Sequence, residues 1–304
     1  MPVATPTTLR FLDPTILRSL KSIELRARLL VEGMYASRHR CPYYGYSVEF
    51  KAYREYSPGD EPRTIDWKLL ARTERFYVKR FEMESNMNVV PLLDASGSMG
   101  YRPADARRLS KLEYGSYLAA SLAYLASKQQ DSPGLVVFDR DVREFIPPRQ
   151  GQRHLFTLLA RLELLTGSGE TDLANALRRT ALRLRRRSLF ILISDCHGDE
   201  SGVVDAVKQL AAQGHELVVF QLLDQDEIDF PFQLLTSFRD AETGQQIMCD
   251  PLRLRREYLA RVEKFREAIR SGSHAGGADY RFLHTGMPLE LVLREYLLYR
   301  RRRA

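Results

Sequence analysis

From residue 88 onward, short apolar runs of strand length alternate with longer stretches whose apolar residues recur at helical spacing. The runs are NVVPLLD (88–94), GLVVFD (134–139), SLFILISD (188–195), HELVVFQLLD (215–224) and DYRFLHT (279–285). Helical patterns fill the intervals at 108–128, 154–165, 171–186, 201–214, 251–272 and 288–300. A strand that is apolar on both faces cannot leave either face to water, and a helix between successive strands supplies the crossover that parallel pairing needs. The alternation therefore predicts an α/β fold: a doubly wound, mostly parallel sheet with helices on both faces. VREFIP (142–147) is placed to pair with the 134–139 strand. QLLTSFRDAETGQQIMCD (233–250) breaks the rhythm and reads as a hairpin turning at Glu242-Thr243-Gly244.

The upstream third has another texture. Residues 13–32 read as a helix, with Leu17, Leu20, Leu25, Leu29 and Leu30 roughly on one side. CPYYGYSVEF and RFYVKRFEME, within 41–85, are rich in Tyr, Phe and Val and suit strands. The expected organisation is an N-terminal helical segment (1–40), a small β-rich extension (41–85) and the α/β domain (86–304). At 304 residues and 44% hydrophobic, the chain can bury a substantial core, which excludes disorder. Cys41, Cys196 and Cys249 form no CxxC pair and no disulfide framework. No apolar run approaches the roughly 20 residues of a membrane span. The N-terminus is broken by Pro and Arg and shows no signal-peptide core. A soluble, cytoplasmic protein is expected.

The net charge of +7 invites a nucleic-acid reading, so its distribution matters. Residues 1–85 hold 15 Lys and Arg against 11 Asp and Glu, and the remainder holds 31 against 28. The surplus is spread thinly, and the runs at 183–187 and 300–303 read as solvated faces. Asp224, Asp226, Glu227 and Asp229 follow a strand, so they are expected as an acidic loop at the sheet edge that repels phosphate. A basic nucleic-acid-associated protein is the weaker alternative.

Open α/β sheets bind ligands beyond the carboxyl ends of their strands. Asp94-Ala95-Ser96-Gly97-Ser98 follows the first strand, Gly169-Glu170-Thr171-Asp172 precedes the 171–186 helix, and Asp195 follows the third strand. These are hard oxygen donors without imidazole or thiolate, which suits Mg²⁺ or Mn²⁺ rather than Zn²⁺. Neutral hydroxyl donors leave such a cation most of its charge, available to an incoming carboxylate.

Asp94, Ser96, Ser98, Thr171 and Asp195, in that order and on those loops, resemble the metal-ion-dependent adhesion site of von Willebrand factor A domains. The resemblance implies that Ser96, Ser98 and Thr171 touch the metal, that Asp94 and Asp195 hold its waters, and that an Asp or Glu of a partner completes it. Where many members have GGTDL or GGTNL this chain has GETDL, so Glu170 adds a negative charge near the site. Tyr53-Arg54-Glu55-Tyr56, Gly59-Asp60, Arg63, Ile65-Asp66-Trp67, Ala71-Arg72 and Val78-Lys79-Arg80-Phe81-Glu82, with the FRDAETGQQ hairpin, are similar to the Domain-of-Unknown-Function-58 family. That resemblance covers about residue 40 to the end. It implies a non-enzymatic adaptor that works with a MoxR-type AAA+ ATPase.

An enzyme reading competes. Ser96-Gly97-Ser98-Met99-Gly100 approaches the nucleophile elbow G-x-S-x-G, with Ser98 as nucleophile and His284 as a late histidine, but its first glycine is replaced by Ser96. Cys196 and His197 are adjacent, which lacks zinc-site spacing, and read as a buried thiol and a loop residue. No phosphate-binding glycine loop is present.

Overall fold

The structure, a computed structural model, describes residues 22–36, 53–56, 67–73, 75–79, 87–103, 105, 107–184, 186–198, 200–242 and 244–303. The chain divides into two compact units, 42–86 and the remainder (1–41 with 87–304). In chain order the described elements are α1 (Ile23–Ala36), β1 (Tyr53–Glu55), α2 (Trp67–Thr73), β2 (Tyr77–Lys79), β3 (Asn88–Asp94), α3 (Lys111–Lys128), β4 (Ser132–Pro133), β5 (Leu135–Phe138), β6 (Val142–Ile146), α4 (Gln152–Glu163), α5 (Leu173–Arg183), β7 (Ser188–Ser194), α6 (Glu200–Ala212), β8 (Glu216–Leu223), α7 (Gln225–Asp229), β9 (Thr236–Arg239), β10 (Gln246–Cys249), α8 (Pro251–Ala275), β11 (Asp279–His284) and α9 (Leu289–Arg303).

In the smaller unit β1 and β2 pair antiparallel, Arg54 opposite Val78. Asp60, Arg63 and Asp66 of the signature lie outside the described residues. In the larger unit the strand order is β11-β8-β7-β3-β5-β6, with β4 beside β3. Every pairing in this sheet is parallel except β5 with β6. The expected mostly parallel sheet is what forms.

Side-chain alternation divides the core. Val89, Leu93, Ile191 and Ile193 face a cluster built with α1, α3, α4 and α9. Val90, Leu92, Phe190 and Leu192 face the opposite cluster with α5, α6 and α8. Residues one apart on a strand thus serve different helix layers, which is why the strands read as continuous apolar runs. Gly214, two residues past α6, adopts φ +79°, the left-handed conformation that glycine tolerates after a helix.

Two elements depart from expectation. Leu25 and Leu29, counted on the inner side of the first helix, are exposed; the buried stripe is Ile23, Ala27, Leu30, Val31 and Met34. The i, i+4, i+7, i+8, i+11 spacing of that stripe includes Ala27 and Met34, which a count of leucines passes over. The acidic 224–229 loop is the second. It is a short helix whose first carboxylate, Asp224, is fully buried, so it is not a solvated acidic edge.

Candidate metal centre

Three neighbouring parallel strands, β3, β7 and β8, carry a carboxylate at or just past their ends: Asp94, Asp195 and Asp224. All three are fully buried. The register of β3 with β7 sets Asp94 beside Ser194, whose hydroxyl donates to Asp94 Oδ2 at 2.6 Å. The chain then turns, and the Ser96 N–H donates back to Asp94 Oδ1 at 2.9 Å. This turn brings Ser96 Oγ within 3.1 Å of Ser98 Oγ.

The loop before α5 closes onto that turn. The Gly97 N–H donates to the Gly169 carbonyl at 2.8 Å, and the Ser168 N–H to the Ala95 carbonyl at 2.9 Å. Gly167 is required by proximity: a Cβ there would lie 2.9 Å from the Ser96 carbonyl. Thr171 sits at the end of this loop. Its Oγ1 is buried and has no hydrogen-bond partner among the described residues. Asp172 caps α5, accepting from the Asn175 N–H at 2.9 Å.

Asp195 is held from two sides. The Lys111 Nζ donates to its Oδ2 at 2.8 Å, and the His197 N–H and Nδ1 each lie 3.2 Å from its Oδ1. Burial disfavours the Asp195 charge, but Lys111 foremost and His197 after it hold the carboxyl well below its ordinary range. Asp94 goes the other way: burial first, and the Asp195 charge second, push it up to about 6. The same donor set suits a hard cation. Each carboxylate still has free lone pairs, since an ionised carboxylate offers about four acceptor sites. Among the described residues no three of His, Cys, Asp and Glu converge on a metal position. The donors are two carboxylates and three hydroxyls, one of them the partnerless Thr171, which fits Mg²⁺ or Mn²⁺ and not a thiolate or imidazole metal.

Asp94 thus closes β3, and the other four sequence-selected residues follow strand ends or precede α5 at the same edge of the sheet. Glu170 does not join them: its side chain is 58% exposed and lies 4.0 Å from Arg140. Cys196 is a buried thiol, its pKa raised by burial, in a left-handed turn (φ +60°). Among the described residues the hydrogen-bond neighbour of Ser98 Oγ is the Ser96 hydroxyl and not the His284 that the hydrolase alternative would need. Beside Thr171 a cleft of about 380 Å³ opens, lined by Thr171, Glu170, His197, Arg140 and Arg178 among others.

Two residues that the motif does not contain also matter. Lys111 is 1% exposed and also donates to Glu227 Oε1 at 2.9 Å. It stands at the first position of α3, where a cation opposes the helix dipole, so two carboxylates rather than the helix fix its place. Glu242, at the tip of the β9–β10 hairpin, has its carboxyl pushed up from the ordinary range by burial first and by the Asp195 charge, while the Thr171 backbone N–H that it faces pulls the other way. Its Oε1 is buried with no hydrogen-bond partner among the described residues. Glu242 was legible only as a turn residue; the FRDAETGQQ pattern was the available signal.

The acidic stretch after β8 is neutralised from within. Arg108 donates to Asp224 Oδ1 at 2.7 Å and to Asp226 Oδ1 at 2.6 Å, and the Tyr101 hydroxyl donates to Asp226 Oδ2 at 2.9 Å. Glu227 and Asp224 form a capping box on α7.

Among known proteins, uncharacterised proteins of Mycobacterium tuberculosis and Mycobacterium bovis are each 25% identical over 297 residues, covering 96% of this chain and 92% of the relative. Two solved structures are similar at 18% identity. An aerotolerance-related membrane protein from Bacteroides fragilis gives a TM-score of 0.47 over 69% of this chain and 97% of that one. The conserved hypothetical protein BatB from Bacteroides thetaiotaomicron gives 0.44 over 65% and 89%. The larger unit is an α/β domain with a mostly parallel sheet flanked by helices on both faces, as the resemblance to von Willebrand factor A domains implied. The profile of the family described as "Protein of unknown function DUF58" matches residues 52–268, and the chain belongs to that family.

Proposed function

We propose that this chain is a non-enzymatic protein-interaction module whose engagement depends on a divalent cation, Mg²⁺ or Mn²⁺. The observation that carries this reading is the partnerless, buried Thr171 hydroxyl on the loop that closes onto the turn of Ser96 and Ser98, at an edge already holding Asp94 and Asp195. A buried polar atom without a partner costs free energy unless a ligand or ion satisfies it. Ser96, Ser98 and Thr171 would hold the cation, and Asp94 and Asp195 would orient its waters. When bound, the cation supplies a positive centre for a partner's acidic side chain. Arg140 and Arg178, both exposed beside the cleft, add positive charge on the approach path and complement the same acidic partner.

Lys111 fixes the charge and orientation of Asp195, so that carboxylate is ionised before any cation arrives. We assign the partner as a MoxR-type AAA+ ATPase, on the support of the family resemblance alone, and place the pair in the cytoplasm. Among the described residues no helix is long and apolar enough to cross a membrane.

Thermal unfolding with millimolar Mg²⁺ against EDTA tests the site. The wild type is expected to gain several degrees with Mg²⁺, and Asp94→Ala to gain nothing. Equal melting temperatures for the wild type in both buffers would overturn the cation dependence. A pulldown from native lysate, with Mg²⁺ or chelator, tests the partner: an ATPase retained only with Mg²⁺ and only by the wild type is the expected result.

A further inference from the structure

The β9–β10 hairpin leaves the sheet and returns its tip to the proposed cation site. The described residues of the tip are hydrogen-bonded: the Asp240 N–H donates to the Gln245 carbonyl at 2.8 Å, the Gly244 N–H to the Asp240 carbonyl at 3.0 Å, and the Glu242 N–H to Asp240 Oδ1 at 2.8 Å. Gly97, between Ser96 and Ser98, measures how close the tip comes. Its backbone is ordinary right-handed (φ −58°, ψ −38°), which any residue adopts. What excludes a side chain is the Ala241 carbonyl oxygen, which would lie 2.5 Å from a Cβ at Gly97. The missing Cβ makes room for the tip.

Glu242 follows Ala241. One side of its carboxylate faces the Thr171 N–H, and its Oε1 is buried and partnerless, as is Thr171 Oγ1. A cation beside these two buried oxygens, one a carboxylate's and one a hydroxyl's, would give both a partner and would offset the burial cost of the Glu242 charge. Glu170 does not supply that charge, being exposed beside Arg140. Lys111, buried at the same sheet edge, is committed to Asp195 and Glu227.

We propose that Glu242 is a ligand supplied in cis: the hairpin tip places its carboxylate in the open coordination position of the cation held by Ser96, Ser98 and Thr171, where it stands in for the partner's acidic side chain. This rests on the cation-site reading above. Its consequence is that a partner engages only once the tip has lifted, so the free protein is self-capped.

Water-proton relaxation of the full-length protein with Mn²⁺ alone reads this directly. Glu242→Gln keeps the shape and removes the charge. It is expected to weaken Mn²⁺ binding about tenfold and to raise the relaxation enhancement of the saturated complex, because an exchangeable water replaces the carboxylate. Adding acetate then lowers the enhancement of the variant by displacing that water, and leaves the wild type unchanged. Gly97→Ala, whose Cβ collides with the Ala241 carbonyl, lifts the tip without touching Glu242 and is expected to give the same acetate response. Wild type that binds Mn²⁺ and loses it in Asp94→Ala, while Glu242→Gln matches the wild type in affinity, enhancement and acetate response, overturns the cis ligand alone. Absence of any Mn²⁺ signal from the wild type overturns the cation site itself.

Discussion

Two groups of carboxylates lie at the carboxyl edge of one sheet, and the chain treats them differently. After β8, Asp224, Asp226 and Glu227 receive Arg108, Lys111, the Tyr101 hydroxyl and each other's backbone N–H groups. That group is finished. Around Asp94, Asp195 and Glu242 the described residues supply the Lys111 ammonium, shared with Glu227, and offer no hydrogen-bond partner to Thr171 Oγ1 and Glu242 Oε1. On the proposed cation reading, the contrast separates an acidic cluster that is structural from one that awaits an external charge. Counting acidic residues cannot make that distinction; counting what each oxygen accepts can.

The contrast can be broken most forcefully at Lys111, which belongs to both groups. Lys111→Met leaves two carboxylates without their cation and is expected to cost about 3–5 kcal/mol in urea denaturation, the range for removing one member of a buried pair. A near-neutral result would show that neither group needs an internal cation. Arg108→Ala removes the guanidinium that pairs with Asp224 and Asp226 of the finished group. Its side chain is 27% exposed, so water recovers part of the loss, and about 1–3 kcal/mol is expected. Excess Mg²⁺ should not restore that stability; restoration would erase the difference between the groups. Ser110→Ala sharpens the comparison by sparing every charge. It removes a capping box in which the Ser110 hydroxyl accepts from the Glu113 N–H at 3.1 Å, at a cost of about 1 kcal/mol. Because Ser110 lies between Arg108 and Lys111, a much larger loss would mean that the cap itself aims both cations.

The sequence made the sheet legible, because a strand apolar on both faces has few alternatives, and it made the Asp94 turn legible, because those residues fall close together on strand ends. Lys111 was not legible. Flanked by Ser110 and Leu112 at the start of a helix, it reads as an exposed residue, and its partners stand 84 and 116 positions away. The acidic stretch was misread for the same reason: Arg108 neutralises it from 116 and 118 positions upstream. Glu242 was visible as a hairpin turn, but local turn chemistry says nothing about where a tip lands. Pairing across long separations is decided by topology, and spacing within a motif does not encode it.

The hydrogen bond from Ser194 to Asp94 joins the ends of two strands whose pairing runs from Asn88 opposite Ser188 to Leu93 opposite Ile193. Side chains alternate along a strand, so a slip of one residue would turn Asp94 toward the wrong helix layer and scatter the five oxygens. The cluster is therefore a checksum on the alignment of β3 with β7. A chain that has collapsed into a misaligned sheet keeps its helices and its bulk but loses the place that the proposed ion would occupy. A melting temperature that responds to Mg²⁺ would report correct strand alignment in any variant, at sites far from this edge, before a single partner is known.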